Sequence, residues 1–400
     1  MYLAITPREW GLKIPDDKGM NKVKKVVGIS YQEIQKRCKN AVYEFLDRLY
    51  DEKENALHHF YRADVKHFGE FDSGNFLMAI NYVIMYDCYQ DIKMIEKAEN
   101  CFKWAYSKCT EIQPMFTWQG GVRDGFKSNE LYLKYTGDAM WTCLALYERL
   151  KKEEYLFYAK QFHNFMKQAR KAGFKYKYNT DLYQWSDTGF CWRAFGYPII
   201  AYLEYYDVTG EEKYLEHAIA WGEHGLTLQE RNGAFYLIDG EFWNSDLTAT
   251  EIRGLVSLYK VTGMKKFLRS AIRYADWVIK YQREDGAWPI GIDTDNEICA
   301  PNVGPGDVSN ILISLVYLHD VTKERRYLES AIKATKYSLA MQALEDGRYP
   351  LFLDDRNVKW GFWSWEPLYD YSLSGDQSVH HIRALMLIAD YLGNLDSGRY

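Results

Sequence analysis

Six aspartates stand ahead of or at the start of strongly apolar segments: Asp72 in FDSG, Asp138 in TGDAM, Asp187 in SDTGF, Asp246 in NSDLT, Asp307 in PGDVS and Asp376 in SGDQS. Carboxylates gathered around one cavity can do acid–base work, a protonated one assisting a leaving oxygen while an ionised one activates water or attacks. An aspartate at a helix start also caps free N–H groups and complements the helix dipole, so each of the six carries both readings. Asp187 leads as a catalytic acid because Trp185 stands beside it. Asp124, in the GGVRDG loop, sits at no obvious cap, although a Gly-flanked turn explains it as well. Asp246 shares a Trp-containing loop with Asp239 and Glu241, and close carboxylates raise one another's pKa.

Asp376 is followed by His380 and His381. A histidine titrates where proton transfer is useful, and a His pair at a helix start is also an ordinary hydrogen-bonding element. The predicted catalytic set is therefore Asp187, Asp124, Asp246, Asp376 and His380. For substrate contact we expect Arg123, Arg193 and His381, with Trp118, Trp185, Trp243, Trp288 and Trp363 stacking on sugar rings. Arg253 and Arg383 share the capacity to bind a carboxylate bidentately, and each could instead pair with the aspartates.

The elements that must position these groups repeat. An aromatic or Met, an aliphatic, two variable residues and Ala recur at Met94, Tyr155, Tyr214, Phe267 and Tyr327, at intervals of 53 to 61 residues. Apolar steps of three and four continue each one, the mark of an amphipathic helix. Before each lies a short turn and, before that, a helix apolar around most of its circumference: residues 75–89, 139–150, 191–208, 248–261 and 308–321, with 378–392 closing the series. Such helices should be buried on most sides. With residues 31–50 as a further outer helix, twelve helices form six hairpins, a closed double ring or (α/α)6 toroid. Residues 30–400 make this single domain and residues 1–29 an N-terminal extension. The long loops, rich in Gly, Trp and Asp, all fall on one face, where loops of that length are usually functional. An α-solenoid is the structural alternative.

Fifty Lys and Arg against 55 Asp and Glu, with no basic run, argue against a nucleic-acid partner. Charged and Tyr residues interrupt each apolar helix, so no membrane span is expected. The N-terminus has no apolar leader, which suggests a cytoplasmic protein, or a secreted one if a signal peptide has been removed. Seven cysteines lack metal-ligand or disulfide spacing, and neither metal nor cofactor is expected. The aromatic content of 16%, with 34 Tyr and 13 Trp, exceeds what a core of this size needs, and several Trp fall in loops. An oligosaccharide is the expected partner. QREDGAW at 282–288 fits a QxxxGxW pattern of triterpene cyclases, but DTDN at 293–296 falls short of their acidic signature.

The six-hairpin layout, with its YLxxA outer helices and TG turns, resembles the six-hairpin glycosidase superfamily over residues 30–395. FDSGNF at 71–76 and SDTGF at 186–190 resemble the Asp-x-Gly-Phe segments of unsaturated glucuronyl hydrolases, Asp72 departing by its Asn75. The resemblance implies a glycoside hydrolase, in which Asp187 or Asp72 would protonate an unsaturated uronide. YDY at 369–371 and the His380-His381 pair are similar to the C-terminal domain of glucuronyl carbon-5 epimerases, implying an epimerase or lyase that transfers protons through Tyr or His. A sugar-binding protein without catalysis is the third reading.

Overall fold

The computed structural model describes residues 13–187, 193–238 and 241–395, with Asp246 placed by its backbone alone. The inner members of the hairpins are α4 (Gly74–Tyr89), α6 (Leu133–Leu150), α8 (Gly196–Thr209), α10 (Ser245–Thr262), α12 (Pro305–Thr322) and α14 (Gly375–Asn394). The outer members are α2 (Tyr31–Asn40), extended by a wider turn and α3 (Asp47–Leu49), then α5 (Ile92–Cys109), α7 (Glu154–Lys171), α9 (Glu212–Thr227), α11 (Lys265–Val278) and α13 (Arg325–Ala340). Each inner helix packs on the next, and α14 returns to α4. The chain is an (α/α)6 toroid. An N-terminal helix, α1 (Asp17–Val27), lies against α14 and α13.

Local chemistry explains the alternation. On α11 the buried positions Phe267, Ser270, Ala271, Tyr274, Ala275 and Val278 fall at three- and four-residue steps, one stripe facing inward. The repeated aromatic (Tyr155, Tyr214, Phe267, Tyr327) and the Ala four residues later are all buried. Burying each such aromatic contributes roughly 1.5–3 kcal/mol. Residues Val308 to His319 of α12, by contrast, are buried without a break. The short turns are left-handed caps: the N–H groups of Gln90, Lys151, Gly210, Gly263 and Lys323 each donate to the carbonyl four residues back, with positive φ at every one.

The QxxxG pattern also has a structural origin. Gln282 donates to the carbonyls of Gly286 and Ser330, and Ser330 donates back to it. Gln229 makes the same bonds with Gly233 and Ser270 one hairpin earlier, so the motif is a clamp between successive outer helices.

The structure adds to the all-helical expectation. The long loops carry short antiparallel strands, including four that join 122–123, 130–132, 177–179 and 184–186. A second set closes the ring: Ser372–Ser374 pairs with Phe60–Arg62, Ser374 opposite Phe60, joining the last hairpin to the first. Five of the six inner helices begin earlier than the apolar runs read from the sequence, whereas α8 begins at Gly196, later than the expected start at residue 191. Asp138 is therefore the sixth residue of α6, inside the helix rather than at its start. Among the described residues, no helix is long and apolar enough to cross a membrane.

Candidate active site

The N-terminal turns of the six inner helices meet in a cavity of about 230 Å³ on the long-loop face. Leu77, Lys134, Tyr197, Asn244, Asp307 and Asp376 bring one residue each from α4, α6, α8, the turn into α10, α12 and α14. Gln377, His380, Ile290 and Trp365 complete the wall. A larger groove, about 410 Å³, runs over the outer helices between Gln282 and Arg326 and holds no comparable set of acids and aromatics.

Asp376 is the best-defined acid of the cavity. Its Oδ1 accepts hydrogen bonds from Ser374 Oγ and, at 2.6 Å, from the Gln377 N–H. Burial works to raise its pKa, but His59, the Ser374 hydroxyl, His380 and Lys134 together hold it below the usual carboxylate range. His380 follows Asp376 by one helical turn, on the same face of α14. Asp307, in the first turn of α12, opens into the same cavity, and its Oδ2 accepts a 2.9 Å bond from Ser245 Oγ.

Behind Asp376 stands His59, which the sequence reading did not select. Its Nδ1 lies 2.7 Å from Asp72 and its Nε2 3.7 Å from Asp376. Burial disfavours the charged ring, yet Asp376, Asp72 and Asp124 outweigh it and raise the pKa to about 10. The three carboxylates thus favour the imidazolium form of His59 near neutral pH. No helical period marks it, since it precedes the ring-closing strand, and Gly375 N–H donates to its carbonyl across the seam.

The expected residues divide. Asp376 and His380 line the cavity. Asp124 lines an adjoining hollow of about 220 Å³ with Asp72, and its carbonyl accepts from both the N–H and the hydroxyl of Ser73. Asp187 is not among the residues lining the cavity; its carboxylate pairs with Lys175 at 2.9 Å. Residues 188–192, which complete its SDTGF motif, lie outside the described residues, as does Asp239. Asp246 is the second residue of α10, with its side chain outside the described residues. The N-terminus of α8 is served instead by Glu251 of α10, whose Oε1 accepts the Gly196 N–H at 2.9 Å. Gly196 is needed there, because a Cβ would come within 2.3 Å of the Thr250 backbone.

The indoles are corrected most. Trp243, Trp288 and Trp363 are wholly buried, so no ring face is offered to a ligand. Trp288 and Trp363 donate their Nε1–H to the carbonyls of Val278 and Tyr349, and Trp243 packs edge-on against Trp277. Trp118 stacks on Phe116 and Tyr178 in a small separate core, against which the half-buried Trp185 also packs. Among the described residues, the indole at the cavity is Trp365, with Tyr369 beside it. Arg123 is engaged by Glu111 and the Ser128 carbonyl, and Arg193 by the Asp187 carbonyl. His381 is fully buried, stacked on Phe362 and bonded through Nδ1 to Ser309 and Ser338, and burial pushes its pKa well below the usual value. It is a neutral core residue.

Among the described residues, no group of three or more His, Cys, Asp and Glu is arranged to hold a metal ion.

No family model and no curated protein sequence matches the chain. Solved structures do match its fold. A D-mannose isomerase superposes with a TM-score of 0.72 at 13% identity, covering 90% of this chain and 97% of its own. Cellobiose 2-epimerase from Bacillus thermoamylovorans gives 0.71 at 12% identity, over 90% and 98% of the two chains. A GH76 α-mannanase from Bacteroides thetaiotaomicron gives 0.63 at 14% identity, over 92% and 98%. The toroid is thus the one these carbohydrate-processing enzymes are built on, as the six-hairpin resemblance implies.

Proposed function

We propose that the protein is a carbohydrate-active enzyme, a glycoside hydrolase working on the end of an oligosaccharide at the central cavity. The observation that carries this reading is that Asp307 and Asp376, from two inner helices, open into one cavity walled by Tyr197 and Trp365. Asp376, held ionised, is the base or nucleophile, and Asp307 the proton donor to the leaving oxygen. Asp246 follows the Ser245 that bonds Asp307. The cavity is smaller than the roughly 300–1,000 Å³ typical of pockets for drug-sized ligands, which favours one ring of a chain end. The isomerase, epimerase and mannanase named above support a sugar substrate.

A second reading is epimerisation or isomerisation. It is favoured by His380, which lines the cavity one turn from Asp376 and shares it with Tyr197 and Lys134, residue types able to take and return a proton.

One experiment separates the two: incubation with neutral and acidic oligosaccharides and monosaccharides in heavy water, read by mass spectrometry and NMR. Hydrolysis releases a shorter chain and one sugar. Epimerisation leaves chain length intact and places deuterium on carbon. Absence of either across the panel would overturn the enzyme reading.

A further inference from the structure

Below the cavity, the interior of the ring carries two arginines. Arg253 on α10 and Arg383 on α14 are 4% and 3% exposed, and both guanidiniums lie against the ring of Trp141 on α6, at 5.5 and 4.6 Å from its centroid. Stacking on an indole accounts for where they sit. It does not account for their hydrogen bonds: Nε and Nη1 of Arg253 and Nε of Arg383 are buried without a partner, as is Nε1 of Trp141.

Neither guanidinium makes an ion pair with a carboxylate of the described residues. Glu204 on α8 is near enough to act on both, although burial, then Glu148 and Asp207, raise its pKa well above the usual carboxylate value. Asp138 acts on both as well. Burial, then the charge of Arg253, lowers Arg383 to about 9, so the two cations disfavour each other. Buried cations with unmade hydrogen bonds are costly to keep, and a bound anion would supply both the charge and the acceptors.

The location links this pair to the mouth. Arg383 follows His380 by three residues, about 4.5 Å of helical rise. We infer that the ring interior beneath the cavity is an oxyanion site in which Arg253 and Arg383, beside Trp141, hold a carboxylate or phosphate group. Planar guanidiniums match both groups. The inference rests on the proposed sugar reading only for the carrier of that group: a sugar seated at Asp376 and His380 would be acidic, with its anionic substituent directed down the axis.

The test is calorimetric titration of the full chain with sodium glucuronate, sodium phosphate and glucose at constant ionic strength. Glucuronate is expected to bind saturably and at least about tenfold more tightly than glucose, with Arg383→Gln and Arg253→Gln each weakening it by about tenfold or more. If phosphate displaces glucuronate, the two share the site. If phosphate alone binds with the same arginine dependence, the oxyanion site stands and its ligand is a free anion. Equal binding of glucose and glucuronate, or no binding of either anion, overturns the inference. Should a Gln variant fail to fold by circular dichroism, the wild-type comparison and Arg383→Lys carry the test. No turnover is needed, so an inactive enzyme would not count against this site. Its failure would leave an enzyme for neutral sugars standing.

Discussion

The Nε2 atom of His59 lies 3.7 Å from Oδ1 of Asp376, across the seam where the last hairpin meets the first. Ring closure and the charge state of the cavity are therefore coupled through one side chain. His59 has a folded-state pKa of about 10 against an ordinary value of 6.5. Folding strengthens its hold on the proton, so its contribution to stability is complete below pH 6.5 and is lost as pH rises toward 10. With the ring 29% exposed, we discount the full linkage value to about 2–3 kcal/mol. Urea denaturation at pH 6, 8 and 10 should show wild type losing that amount relative to His59→Gln. A difference that does not change with pH would remove the imidazolium from the account.

Asp376→Asn should lower kcat by about a hundredfold or more, as expected for a carboxylate acting on the reacting atoms. Asp187→Asn, which among the described residues removes the ion-pair partner of Lys175, should cost less than about tenfold. Steady-state kinetics on the substrate found in the panel, with near-ultraviolet circular dichroism confirming the fold, compares the two. The opposite order would move the catalytic centre toward Asp187 and its loop.

The ring was legible in the sequence because it is written in repeats: Tyr155, Tyr214, Phe267 and Tyr327 each face inward with an Ala one turn on, and that period survives any change at the mouth. Asp376 and His380 were legible because a helix start fixes their place. The indoles were not, since a Trp in a Gly-rich loop reads alike whether its N–H meets a carbonyl, as in Trp288, or its ring edges a cavity, as in Trp365. His59 was hidden for another reason. Its partners Asp72 and Asp376 stand 13 and 317 positions away, and only the strand pairing of Phe60 with Ser374 brings the distant one near.

Glu251 holds the start of α8 from the neighbouring helix. It is fully buried, and besides the Gly196 N–H it accepts from Thr250 Oγ1 at 2.5 Å. Glu251→Ala leaves the N-terminus of α8 without its acceptor, while the Thr250 hydroxyl keeps the Leu247 carbonyl, and should cost about 1–3 kcal/mol. Glu251→Gln keeps one amide oxygen for the cap and should cost about 1 kcal/mol. Equilibrium denaturation in urea measures both. A loss below about 0.5 kcal/mol in the Ala variant would mean that water caps α8 equally well.

Trp363 and Trp365 stand two residues apart and should behave differently. Trp363 is enclosed and bonded to the Tyr349 carbonyl, whereas Trp365 is half-buried at the cavity with Tyr369 beside it. Trp363→Ala opens a void in the core and should cost about 3–5 kcal/mol, with kinetic constants of the folded fraction little changed. Trp365→Ala removes an aromatic face from the sugar instead. It should raise KM by about tenfold, the equivalent of roughly 1.4 kcal/mol, at nearly constant kcat, since stacking acts on bound substrate and transition state alike. Melting temperatures and kinetics on both variants test the pair. A stability loss in Trp365→Ala matching that of Trp363→Ala, with KM unmoved, would place Trp365 in the core and leave Tyr197 as the aromatic wall of the cavity.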